Sequence, residues 1–147
     1  MESHVAGGIP VGCVLVHEPT STIIAKGRNQ RVQKHSNILH GETDCFENAG
    51  VVFQGGPVPW KQSICVTSLT PCMMCTGAIL RLGIPMVVVA DSQSMSSEGE
   101  ELLRSRGVQV IACNDTTCTD MMGTWIKDNP GIWNGDIPGI MDQSHRA

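Results

Sequence analysis

The stretch SICVTSLTPCMMCTGAILRLGIPMVVVA, residues 63–90, carries the reading on which the fold depends. Its first part, SICVTSL (63–69), is a short apolar run of the kind that fills a buried strand. Thr70 then reads as a helix cap and Pro71 as a first-turn residue, where a missing N–H matters least. Helical spacing continues until Gly83 closes the segment, and PMVVVA (85–90) returns to a buried strand. Further along, SSEGEELLRSRG predicts a helix ending at Gly107, VQVIA (108–112) a strand, and TCTDMMGTWIKDN a last helix before Pro130. Such alternation predicts a largely parallel sheet covered by helices. Toward the N-terminus, VGCVLVH (11–17) and TIIAKGR (22–28) predict a hairpin that turns at Glu18, Pro19, Thr20 and Ser21. A polar loop, NQRVQKHSN, separates that hairpin from LHGETDCFENAG, which has early carboxylates and Gly50 as its stop and predicts a helix of about three turns.

Length and composition bound what the chain can be. A chain of 147 residues fits one domain, 1–147, with a single core. Hydrophobic residues make up 41% against 16% charged, far from the disordered regime. The formal charge is −4 and the ten Lys and Arg are scattered, so the basic footprint of a nucleic-acid binder is missing and small or neutral ligands are favoured. The opening MESHVAGGIPVG has neither the basic start nor the apolar run of a signal peptide, and no stretch approaches the roughly eighteen apolar residues of a membrane span. The expectation is a cytoplasmic protein without a membrane partner. In that compartment seven cysteines, an odd number, predict buried thiols and metal ligands rather than a disulfide framework.

Cys72 and Cys75 fall three apart in the first turn of the predicted helix, face the same way, and gain thiolate character from the helix N-terminus. Taken alone the pair fits a dithiol switch or half of a structural zinc site. The structural site wants a second pair, and Cys13, Cys45, Cys65, Cys113 and Cys118 show no matching spacing, so those five read as core packing. His40 and Glu42 separate the readings. One imidazole and two thiolates make a three-ligand zinc site whose open fourth position suits a catalytic metal, and Glu42 is placed to reach that position. The order His40-Gly41-Glu42, then Pro71-Cys72-Met73-Met74-Cys75, is the H-x-E and P-C-x-x-C signature of zinc-dependent base deaminases.

With the segments GIPVG, GRNQR, LHGE, TPCMMCTGAI and GIP and the residues Trp133 and Asp136, the chain resembles the cytidine/deoxycytidylate deaminase superfamily from about Gly8 to Ile137, and within it the fungal-type cytosine deaminases. The resemblance implies a three-layer α/β/α sandwich around a five-stranded mixed sheet, ligands on the first turns of two adjacent helices, one Zn2+ per chain and a homodimer. It implies a zinc-dependent aminohydrolase that converts cytosine to uracil and ammonia, with Glu42 shuttling the proton. It also implies substrate contacts: Asn29 to a ring edge, the Gly41 amide to the base, Asp136 to the amino group, and Val11, Leu69 and Trp133 as walls.

Departures from the family pattern carry their own expectations. Ten residues precede Val11 where family members carry a helix, so the N-terminal helix is expected to be missing and one sheet face less covered, or closed by a partner. Met95 stands in place of an aromatic lid, and Asn134 in place of an aromatic beside the C-terminal tryptophan; with the segment 133–136, Met95 is expected to close the pocket. Asn134 would supply a hydrogen bond to the second ring nitrogen of isocytosine, which makes isocytosine or a related aminopyrimidine the alternative substrate. An editing deaminase would call for cationic and aromatic side chains, and this chain has no Tyr, two Phe and three Trp. A silent zinc-stabilised scaffold would have no use for Glu42.

Overall fold

The computed structural model describes residues 2–137. The chain opens with one helical turn, α1 (Glu2–Val5), followed by β1 (Gly12–His17), β2 (Thr22–Arg28) and α2 (Gly41–Ala49). A small hairpin, β3 (Val52–Phe53) and β4 (Gly56–Pro57), precedes β5 (Ser63–Leu69), α3 (Met73–Leu82) and β6 (Met86–Asp91). Then come α4 (Glu98–Ser105), β7 (Gln109–Ala112), α5 (Thr116–Asp128) and α6 (Pro130–Asp136).

Five strands form one sheet in the order β2-β1-β5-β6-β7. β5, β6 and β7 run parallel, as the alternation of strands and helices predicts. β1 is antiparallel to both of its neighbours, so the sheet is mixed rather than largely parallel. The short turn between β1 and β2, which can join only antiparallel strands, accounts for the first of these two pairings.

Alternate strand residues serve two layers. Cys13, Leu15, Cys65, Val87 and Val89 are buried with Phe46, Ile79 and Leu103 of α2, α3 and α4 in the main core. The intervening Val14, Val66 and Val88, aligned across three strands, are only half-buried. α5 packs along β6, completing a three-layer α/β/α sandwich, and its Met122 and Trp125 join Ile9, Val11, Leu69 and Trp133 in a second apolar cluster. Ahead of β1, α1 supplies a single helical turn where no helix is expected. No helix among the described residues is long and apolar enough to cross a membrane.

Two glycines seat the helices that matter for the site. A Cβ on Gly27 would lie 2.1 Å from the Cys45 N and 2.5 Å from the Gly41 O, so the first turns of α2 rest directly on the β2 backbone. A Cβ on Gly99 would lie 2.1 Å from the Pro71 O, which puts the start of α4 against the loop that leads into α3.

Three local expectations are corrected. Thr70 is not the cap of α3: its N–H donates to the Asp91 carbonyl and its hydroxyl to Glu100, so it extends the sheet, and the helix starts at Met73 with Cys72 as its N-cap. Pro130 does not end the helical region but begins α6, where a first-turn proline is well suited. Cys13, Cys45 and Cys65 are buried as expected, whereas Cys113 is exposed just beyond β7 and Cys118 is half-exposed in the first turn of α5.

Candidate metal centre and its pocket

His40 is the N-cap of α2, with its own N–H donating to Thr43 Oγ1 at 2.8 Å. Cys72 is the N-cap of α3, and Cys75 follows in the first turn. Two helix N-termini therefore converge, and the ligand atoms of His40, Cys72 and Cys75 all lie within 4.8 Å of one another. The His40 Nδ1 is 3.5 Å from the Cys72 Sγ, while Nε2 faces Asp136 Oδ1 at 3.4 Å, so the ring turns one nitrogen to the thiols and is held from behind by a carboxylate.

Charge in this cluster is distributed unequally. Burial alone would lower His40, but its hydrogen bonds to Asp136 and then Cys72 outweigh that and push it up to about 10. Cys72 falls to about 4, first through a hydrogen bond with Cys75, against the opposing effect of burial, and then through His40. Cys75 is pushed up by sharing that bond with the Cys72 thiolate and by burial. Desolvation acts against the Asp136 carboxylate, yet His40 and Arg31 hold it below the usual range. Two thiols and an imidazole whose ligand atoms lie this close together fit one zinc ion, with these three residues as its ligands. Loading would displace the protons of His40 and Cys75, so affinity is expected to weaken with acid.

Glu42, in the first turn of α2, is 3% exposed, and its Oε1 accepts a 2.6 Å hydrogen bond from Thr67 in the middle of β5. Burial raises its carboxyl above the ordinary range, against the pull of Thr67. Glu42, His40 and Cys72 line one pocket together with Val11, Asn29, Leu69, Met95, Trp133 and Asp136. Nearly every residue expected around the base is thus gathered there.

Two are not. Gly41 is buried at the first position of α2, close against Gly12 and Val11, and outside the pocket lining. Asn134 is corrected: it is exposed and does not line the pocket, because Trp133 takes the inward face of α6 and the next helical position points away.

The structure adds residues that the motifs did not single out. Ile9, Thr70 and Ile137 complete the lining. Thr67 fixes Glu42, and Asp44 accepts from the Arg28 N–H at 3.0 Å and from Gln30 at 3.3 Å, which ties α2 to the loop carrying Asn29. Buried polar residues inside otherwise apolar strands, such as Thr67, are the one signal that would have found them.

Residues 2–91 match the model of the cytidine and deoxycytidylate deaminase zinc-binding region. The chain belongs to that family. It is 41% identical to the cytosine deaminase of Candida albicans over 129 residues, covering 88% of this chain and 83% of that protein. It is 30% identical to a tRNA-specific adenosine deaminase of Streptococcus pyogenes over 64% of this chain and 57% of the relative. Among solved structures it resembles the guanine deaminase from Nitrosomonas europaea, with a TM-score of 0.65, 21% identity, and coverage of 86% of this chain and 76% of that one; this shows the shared fold. Within the cytidine and deoxycytidylate deaminase family the matched region is the zinc-binding one, in keeping with the thiol and imidazole set at residues 40, 72 and 75.

As a member of this family the purified protein is expected to hold about one zinc per chain. Because the ligands belong to two helices, a strong chelator is expected to lower the melting temperature together with zinc content. Elemental analysis and a thermal melt before and after chelation check this; a Cys72–Cys75 disulfide without zinc would overturn it.

Proposed function

We propose that this chain is a zinc-dependent aminohydrolase acting on a free aminopyrimidine, with cytosine as the leading substrate. The observation that carries the reading is Glu42, a buried carboxylate that lines the same pocket as His40 and Cys72. A purely structural metal site would gain nothing from it. When bound, zinc supplies Lewis acidity that makes water reactive near neutral pH. With the ion bound, Glu42 would take a proton from water and hand it to the ring nitrogen; once the C–O bond has formed, it would take the remaining hydroxyl proton and pass it to the amino group, which leaves as ammonia when the C–N bond breaks. Thr67 holds one carboxylate oxygen in place, so the proton moves at the other. Asn29 meets the ring edge, Asp136 receives the amino group, and Val11, Leu69, Met95 and Trp133 exclude water.

The Candida albicans relative supports cytosine over the other bases. The argument for isocytosine loses its hydrogen bond, since Asn134 faces away from the pocket. A net charge of −4 and the lack of Tyr disfavour a nucleic-acid substrate. The resemblance to the family further supports one catalytic domain, a homodimer and a cytoplasmic role in pyrimidine salvage; a monomeric mass by light scattering would remove the dimer.

Ammonia release from a panel of free bases tests the reading. Cytosine is expected to be turned over with a higher kcat/KM than isocytosine or guanine. Met95→Phe is expected to change the ratio of the two pyrimidines by ~3-fold or more, since Met95 lines the pocket. No ammonia from any base with zinc-loaded protein would sink the activity, and an unmoved ratio would remove Met95 from specificity.

A further inference from the structure

α6 has only seven residues, yet it brings Trp133 and Asp136 to the pocket. A helix of about two turns does not hold itself together in water. Its last carbonyls have no partners inside the helix and sit at its negative end. The guanidinium of Arg31 meets that end from a distant part of the chain. Its Nη2 donates to the Gly135 carbonyl at 2.6 Å, and its Nη1 donates to Asp136 Oδ1 at 3.2 Å and to Asn37 Oδ1 at 2.6 Å. The backbone N–H of Arg31 donates to Asn29 Oδ1 at 2.9 Å, so the turn that carries the latch also fixes a residue of the pocket lining.

We propose that Arg31 is a positioning residue: it caps the C-terminal end of α6 from outside and, by clamping Asp136, holds the helix closed over the pocket. An ordinary surface ion pair contributes little. This one differs, because a planar fork reaches a helix-end carbonyl, a carboxylate and a side-chain amide at once. Asp136 Oδ1 is shared between Arg31 and His40 Nε2, so loss of Arg31 leaves the carboxylate tied on one side only. The contact with His40 and the packing of Trp133, Ile132 and Ile137 are then left to hold α6 near the second apolar cluster. A base enters and product leaves when α6 lifts, and the strength of the latch sets the fraction of closed pocket. In its kinetic part the proposal rests on the reading of the pocket as the base-binding site.

The test uses full-length, zinc-loaded protein and the variants Arg31→Ala and Arg31→Lys, with Arg31→Gln in reserve should the alanine variant fail to fold. Hydrogen exchange followed by mass spectrometry is expected to speed up ~10-fold or more in residues 130–136 of Arg31→Ala, with α2, α3 and zinc content unchanged. With cytosine, KM is expected to rise ~10-fold or more while kcat stays within ~3-fold or increases. Lysine keeps the charge but loses the fork, and is expected to fall between the two. Unchanged exchange in residues 130–136 overturns the latch. Faster exchange with a loss carried wholly by kcat overturns the assignment to substrate closure. If the parent protein releases no ammonia from any base, the functional reading fails while the exchange experiment still decides the latch.

Discussion

Glu42→Gln is expected to lower kcat by at least ~100-fold on the best base while the protein folds and holds its zinc, the range usual for loss of a general acid/base. Glutamine keeps the shape and the contact with Thr67 but cannot carry the proton. A near-normal rate in this variant would sink the mechanism. The same substitution tests the electrostatics. Burial raises the Glu42 carboxyl, and a carboxyl raised in the folded state stabilises the fold below its unfolded value and loses that contribution as pH rises through the folded one. Glutamine stays neutral throughout. Chelator-treated Glu42→Gln is therefore expected to be at least as stable as the treated parent at neutral pH, with the advantage fading as pH falls to about 4, and urea titrations at both ends of that range measure it.

Gly27→Ala is expected to be the most damaging small change in the fold. The new methyl would overlap the Cys45 N, at 2.1 Å, and the Gly41 O, at 2.5 Å, both of them backbone atoms that no rotamer change can move. α2 must lift from β2 and take His40 and Glu42 with it. A loss of ~3 kcal/mol or more follows, the upper part of the range for overpacking, which lowers the melting temperature by about 10 °C and zinc content with it. Gly77→Ala is the control: nothing lies within 4 Å of a Cβ there, it is exposed inside α3, and a gain of ~0.5–1 kcal/mol is expected. Equal melting temperatures for the two variants would contradict this account of how α2 is seated.

The centre of the site was legible because its chemistry is local. His40 with Glu42, and Cys72 with Cys75, are short-range pairs whose residue types have few joint uses, and the structure brings the ligands within 4.8 Å. The strands at 63–69 and 85–90 were legible because buried parallel strands need continuous apolar runs. What escaped depends on long-range packing. Nothing near Thr70 in the sequence shows that its N–H and hydroxyl are taken by Asp91 and Glu100, so the local pattern puts the helix start too early. The direction of Asn134 depends on which side of α6 the second apolar cluster lies, and α6 itself was hidden because Pro130 marks a helix start as readily as a stop. Likewise the meeting of Arg31 with Gly135 spans 104 positions, which no local pattern records.

Both α2 and α3 aim their N-termini at the same point, with His40 and Cys72 as the two caps. The backbone thereby supplies the positive potential that thiolates and a carboxylate need, spread over amides that cannot be titrated away or swung aside. A chain with only ten Lys and Arg in 147 residues can in this way keep concentrated negative charge in a small chamber. The walls are then free to be greasy, and an uncharged flat ring can be greeted by apolar surface on its faces and polar groups only at its edge.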